Sequence, residues 1–88
     1  MLTISAPTNG QSFTVPQGQT NANINVAGTC SAKHAVTVKR DGTSMGTAQP
    51  DPNTGAWSKD IVAAKGGHTI SAECPGETNS PSVNISVS

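Results

Sequence analysis

The sequence predicts an all-β sandwich of two antiparallel sheets built from about seven or eight short strands. Three observations predict it. Apolar residues recur at every second position in short runs. Clusters of Gly, Pro, Asn and Asp interrupt those runs at close intervals. No segment sustains the period of 3.6 that an amphipathic helix needs. Each run has one apolar and one polar face, so two sheets packed face to face explain the pattern best. With 88 residues the chain is near the lower end of what buries a core unaided, and residues 1–88 are expected to form a single domain.

Taken in order, Leu2 and Ile4 alternate with polar neighbours until Pro7-Thr8-Asn9-Gly10 breaks the run. Phe13 and Val15 alternate next and stop at Pro16-Gln17-Gly18. Residues 22–30 carry Ile24, Val26, Gly28 and Cys30 on one face. Val36 and Val38 define a strand closed by Arg40-Asp41-Gly42, and an Asp-Gly pair between alternating segments signals a hairpin. Thr43 to Ala48 returns as a short strand, and Gln49 to Gly55, with two prolines, is loop. Trp57 and Ile61 share the next face; Ile61 to Lys65 reads as a turn, with Gly66-Gly67 closing it. His68, Ile70, Ala72 and Cys74 share a face before Pro75-Gly76, and Val83, Ile85 and Val87 close the chain in strict alternation. The expected core is therefore Leu2, Ile4, Phe13, Val15, Ile24, Val26, Val36, Val38, Trp57, Ile61, Ile70, Ala72, Val83, Ile85 and Val87.

Composition and charge narrow the functions. Hydrophobic residues make up 33%, with one Phe, one Trp and no Tyr, so aliphatic side chains must fill a thin core. Five basic and five acidic residues cancel, and neither sign forms a run. A nucleic-acid binder needs a basic face, and aromatic residues for stacking if it holds single strands, so nucleic acid is excluded as a partner. An anionic membrane surface is disfavoured for the same reason, and no apolar stretch approaches the ~20 residues of a membrane-spanning helix.

The cysteines bear on stability. Cys30 is in phase with Ile24 and Val26, and Cys74 with Ile70 and Ala72, so both point inward near strand ends. If their strands lie in facing sheets, a disulfide ties the sandwich together, worth roughly 4 kcal/mol for a loop of about 45 residues. Two reduced, buried thiols are the competing reading.

Five segments in order carry a family resemblance: Pro7-Thr8-Asn9-Gly10, Val26-Ala27-Gly28-Thr29, Val36 to Gly42, Gly55-Ala56-Trp57-Ser58 and Gly67-His68-Thr69-Ile70. Together they resemble the bacterial and phage immunoglobulin-like (Big-type) domains over nearly the whole chain. The resemblance implies an immunoglobulin-like β-sandwich of two antiparallel sheets, used in tandem arrays, adhesins, secreted hydrolases and virion proteins. It transfers no catalytic residue. Two features depart from the family pattern. Lys59 stands where an apolar residue is usual, so either it snorkels to the rim or Trp57 lies close to an edge. The cysteine pair replaces small residues.

Candidate chemistry is sparse, and no enzymatic activity, cofactor or metal is expected. Cys30, His34, His68 and Cys74 are zinc-ligand types, but His68 precedes Cys74 along one strand by roughly 20 Å at ~3.3 Å per residue. Asp51-Pro52-Asn53-Thr54-Gly55 alternates oxygen ligands, yet too few carboxylates are near to neutralise calcium and these are ordinary turn formers. Trp57 could stack on a sugar but is in phase with the core. Asn84-Ile85-Ser86 fits a glycosylation acceptor, with Ile85 inward. Thr3, Asn23, Asn25, Thr37, Lys39, Asn84 and Ser86 form either solvated sheet faces or a hydrogen-bonding platform, and the binding surface is undetermined.

The start, Met1-Leu2-Thr3-Ile4-Ser5, has no basic or apolar signal region, and strands reach both ends. Combined with a disulfide, which cytosolic thiols seldom form, this leads to the expectation of an accessory structural protein on a phage particle. It would be a capsid decoration or tail-surface domain aiding virion attachment or host-surface adhesion. Its partners would be proteins of a virion or cell-surface assembly and possibly glycan, and its location the virion surface or the cell exterior. The alternatives are a spacer or adhesive repeat of a bacterial surface protein, and an accessory carbohydrate-binding module of a secreted hydrolase.

Overall fold

The computed structural model describes residues 1–88 and contains only strands and connections. Eight strands follow in order: β1 Leu2–Ala6, β2 Gln11–Phe13, β3 Asn21–Cys30, β4 Val36–Arg40, β5 Thr43–Ala48, β6 Ala56–Ala64, β7 Gly66–Glu73 and β8 Ser82–Val87. They form a three-stranded sheet in the order β1-β3-β6 and a five-stranded sheet in the order β2-β8-β7-β4-β5. Every pairing is antiparallel except β2 against β8, where Gln11 faces Ile85 and the strands run parallel. That exception arises because the N-terminal segment serves both sheets. Pro7 to Gly10 carries it from β1 across to β2, and Gly10 N–H donates to the Asn84 carbonyl (2.7 Å) while Asn9 Oδ1 accepts from Asn84 N–H (2.8 Å). The Pro-x-Asn-Gly segment is thus the device that docks the crossing chain on β8.

Alternation becomes packing where the sheets face each other. One cluster of 16 buried residues fills the space between them, and no polar or charged residue is buried with it. Leu2, Ile24, Val26, Val36, Val38, Trp57, Ile61, Ile70, Ala72, Ile85 and Val87 belong to it. Ile4, Phe13, Val15 and Val83 pack against it only partly buried. Each flanks an open margin: Ile4 is on edge strand β1, Phe13 and Val15 are on and just beyond edge strand β2, and Val83 precedes the part of β8 that β2 covers. Ala22, Ala48, Ala63, Cys30 and Cys74 complete the cluster.

The expected turn after Trp57 is corrected. Residues 61–64 continue β6, with Ile24 opposite Ile61 and Ala22 opposite Ala63. Gly66 and Gly67 already belong to β7, opposite Val87 and Ser86. Only Lys65 lies between the strands, because Gly66 at φ 129° turns the backbone into the other sheet where a side chain would strain it. The Asp-Gly hairpin forms between β4 and β5, Arg40 facing Thr43, with φ of 53° at Asp41 and 84° at Gly42 as a type I′ turn requires.

Sheet edges are closed by side chains. Along β1, Asn79 Oδ1 accepts from Leu2 N–H (3.1 Å) and its Nδ2 donates to the Leu2 carbonyl (2.7 Å), as a neighbouring strand would. On β6 the carbonyls of Ala56, Val62 and Ala64 accept from Asp51 N–H, Arg40 Nη1 and His68 Nε2 in turn. Lys59 explains the departure from the family pattern. It lies on the inner face of this edge strand, and its Cε and Nζ lie 3.0 and 3.2 Å from where a Cβ on Gly46 of β5 would stand. An inward-pointing charge on an edge blocks strand addition by another chain. Of the two readings the sequence offered for Lys59, a Trp57 near an edge fits the fold, since both residues lie on edge strand β6.

Two outcomes follow. At Gly28 an added Cβ would stand 1.8 Å from the Thr3 carbonyl oxygen and 3.0 Å from Trp57 Cζ2. Gly28→Ala should therefore push β1 off the sheet and lower stability by about 1–3 kcal/mol or more, read from the urea midpoint. Lys59→Val should produce concentration-dependent association in sedimentation velocity, with the wild-type chain unchanged over the same range.

Candidate functional site

The side chains with chemical potential gather at the two poles of the sandwich. At one pole stand Cys30, the last residue of β3, and Cys74, just past the end of β7. Their sheets face each other, their exposures are 0% and 6%, and their Sγ atoms lie 2.6 Å apart. Hydrogen bonds from Lys33 N–H to the Cys30 carbonyl (3.2 Å) and from Glu77 N–H to the Cys74 carbonyl (3.1 Å) fix the backbone around both. Burial, and then the neighbouring Cys30, push the Cys74 thiol up to about 11. Glu77 closes this pole over the cysteines: its carboxylate accepts from Ala32 N–H (3.1 Å) and pairs with the Met1 amino group (2.9 Å).

His68 occupies the opposite pole. Its Nδ1 faces Asp41 Oδ2 at 2.6 Å and its Nε2 faces the Ala64 carbonyl at 2.7 Å. Both neighbours are acceptors, so only the doubly protonated ring satisfies both. Asp41 Oδ1 also accepts from Thr69 N–H (2.9 Å). This clasp joins the β4–β5 turn, the start of β7 and the end of β6, and it therefore crosses from one sheet to the other. The hydrogen bond to Asp41 and then that to Ala64 raise the His68 pKa above its ordinary value, against desolvation and the Arg40 charge. The same hydrogen bond and the Thr69 N–H lower the Asp41 pKa.

The zinc-type set is split by this arrangement. Cys30, Cys74 and His34 share one pole, with the Cys74 thiol donating to the His34 carbonyl (3.4 Å), whereas His68 is engaged at the other. Nowhere do three His, Cys, Asp or Glu side chains converge as a metal site requires. Asp51 acts as a turn former, its Oδ1 accepting from Asn53 N–H (2.7 Å) and Thr54 N–H (3.2 Å). Trp57 is only 3% exposed, so its ring faces the core and offers no plane for a sugar. The depressions in the surface are open, about 360 to 450 Å³, two at the cysteine pole and one beside Gln49 and Asp51.

The polar residues of the sheet faces divide between two outer surfaces. Thr3, Asn23 and Asn25 lie on the three-stranded sheet, and Thr37, Lys39, Asn84 and Ser86 on the five-stranded one. Most are engaged across strands: Thr3 with Thr29 (2.7 Å), Asn25 with Asp60 (2.8 Å), Lys39 with Glu73 (3.1 Å), Asn84 with Thr69 (2.9 Å) and Ser86 with Ser12 (3.2 Å). The His68–Asp41 clasp was invisible to sequence reasoning, because its partners are 27 residues apart. The Asp-Gly turn was the one available signal, since it placed a carboxylate at the hairpin tip.

The clasp makes stability depend on pH. His68, with a raised folded pKa, contributes fully below the unfolded value of about 6.5, and its contribution is lost as pH rises through the folded value. Asp41, with a lowered folded pKa, contributes above its ordinary value of 3.8 and loses this as pH falls through the folded value. The urea midpoint should therefore decline as pH rises past about 6.5, and Asp41→Asn should flatten that decline. By NMR the His68 ring should titrate above its ordinary range in the wild type and lower in Asp41→Asn.

Comparison with known proteins places this architecture. No curated protein sequence matches the chain. Among solved structures, the fibronectin(III)-like modules of Clostridium thermocellum CbhA superpose with a TM-score of 0.79 at 22% identity, covering 99% of this chain and 95% of theirs. The family described as bacterial Ig domain matches residues 1–72, which takes in β1 to β6 and most of β7. The chain belongs to the bacterial Ig domain family, and its fold is an immunoglobulin-like and fibronectin(III)-like sandwich.

Proposed function

We propose that this chain is a non-enzymatic spacer and display module of an extracellular or surface assembly. The observation that carries the reading is where its two ends lie. The Met1 amino group bonds to Ser31 Oγ (2.8 Å) at the cysteine pole. Ser88 bonds through its N–H to the Phe13 carbonyl (2.9 Å), beside the Val87–Gly66 pair at the other pole. The molecule measures 39 × 19 × 19 Å, so the chain enters at one end of a rod and leaves at the other. A domain threaded end to end in this way adds its full length to whatever it joins. The outer faces support the same reading, because their polar side chains are largely paired with one another and not held ready for a ligand.

The finer assignment we propose is an accessory protein on the surface of a phage particle, held by contacts with virion proteins. Its support is the close cysteine pair: a particle assembled in a reducing interior meets an oxidant only after release. The alternative of a spacer repeat in a bacterial surface protein draws on the family and the end-to-end geometry equally. The carbohydrate-binding alternative draws on the likeness to the CbhA modules, a likeness of fold alone. Trp57, turned into the core, gives it no stacking platform.

Two copies joined in tandem by their own ends test the spacer reading. Small-angle scattering should give a maximum dimension near twice the 39 Å of one domain. A folded-back pair with the dimension of about one domain would sink it, and specific retention on a glycan array would favour the carbohydrate reading instead. Intact mass on material from the native source then separates a free-standing virion protein from a repeat inside a longer chain.

A further inference from the structure

We infer that Cys30 and Cys74 close a disulfide between the two sheets, and that this bond is a permanent structural lock and not a reversible redox switch. The two cysteines are 44 residues apart in sequence and belong to opposite sheets, yet the fold sets their Sγ atoms 2.6 Å apart. The pair is therefore placed within reach of a covalent S–S bond, with no other cysteine in the chain to compete for either partner. The backbone holds both residues in place, with Cys30 N–H donating to the Gly55 carbonyl (2.8 Å) in addition to the bonds that flank Cys74. As thiols the pair has poor alternatives: Cys74 reaches only the carbonyls of His34 and Pro75, at 3.4 and 3.5 Å. An S–H is a weak donor even at good distance.

Permanence follows from access. Cys30 is fully buried and Cys74 is 6% exposed. Ala32 and His34 on one side and Gly76 on the other pack together over them, since a Cβ on Gly76 would stand 3.2 Å from Ala32 Cβ and 3.4 Å from His34 Cδ2. Glu77 ties the two loops by its bond to Ala32 N–H. A redox-switch cysteine is exposed and readily becomes a thiolate, whereas both of these are buried and Cys74 is held as its thiol. The raised Cys74 pKa keeps the folded, reduced protein slow to react. The bond therefore forms when this pole is open, either before folding closes it or during a local opening of the folded protein. The oxidant is a low-molecular-weight disulfide such as oxidised glutathione. One cysteine thiolate attacks it, forming a mixed disulfide and releasing one glutathione thiolate. The second cysteine, as its thiolate, then attacks the mixed disulfide and releases the other. The protein dithiol loses two electrons and two protons, and one oxidised glutathione becomes two reduced ones.

The experiment refolds the 88-residue chain in a mixture of oxidised and reduced glutathione, then denatures and alkylates it before mass measurement. The expected product is two hydrogens lighter than the dithiol and carries no alkyl group; two alkyl groups on every molecule would overturn the disulfide. Serine or alanine variants of either cysteine risk failing to fold, so the second measurement uses the wild-type chain in both redox forms. Oxidation should lower the unfolding equilibrium constant by roughly a hundredfold or more, and equal urea midpoints would overturn the lock. Dithiothreitol should reduce the oxidised protein only when denaturant opens the pole. Rapid reduction of the native protein in plain buffer would make the pair a switch and overturn the inference.

Discussion

The structure depends on one constraint: two sheets must lie against each other over a core with a single large side chain. Val, Ile, Ala and Leu supply most of the buried volume, and Trp57 is the exception. Small side chains let the sheets approach closely, and a small residue also relieves crowding between strands within the three-stranded sheet. Gly28 has no space for a Cβ because the Thr3 backbone already occupies it. The Trp57 ring takes the room that Gly28 leaves. The cysteines fit the same logic, since two short side chains from opposite sheets meet only where the sheets are near.

Closing the margins is the second demand, because two stacked sheets leave four edge strands with unpaired backbone groups. Here the margins are closed chiefly by side chains. Asn79 imitates a strand beside Leu2, while Arg40 and His68 occupy carbonyls of β6 from the opposite sheet. These contacts tie sheet to sheet as well as covering an edge, so the poles of the sandwich are held by polar bonds and its middle by apolar packing. A rod built in this way transmits position from end to end. That property suits a spacer, whose contribution to an assembly is distance and orientation.

Much of the fold was legible because period two needs only local sequence. Ile24 and Val26, Ile70 and Ala72, and Ile85 and Val87 declare their faces by alternation, and each of these pairs is buried. The Asp41-Gly42 turn was readable because few residues tolerate positive φ. Alanine is where the reading thinned: Ala22, Ala48 and Ala63 are buried, yet alanine is equally at home on a surface, so composition gave no side to them. The stretch after Ile61 misled for a related reason. A run of Val-Ala-Ala-Lys before two glycines has weak strand propensity, and pairing with β3 overrode it. The clasp and the edge caps were hidden because they join residues far apart in sequence.

By itself the sequence determined the class of fold, the order of its seven or eight strands and the inward phase of both cysteines. Those are properties of single strands and of totals, and alternation and composition carry them without reference to partners. Only the tertiary structure decided which strand lies in which sheet, that β2 runs parallel to β8, that Lys59 guards an edge, and that His68 is held by Asp41 while Cys30 meets Cys74. Each of these depends on which segments become neighbours after folding. That choice is made by the simultaneous burial of all the apolar faces, and no local pattern encodes it.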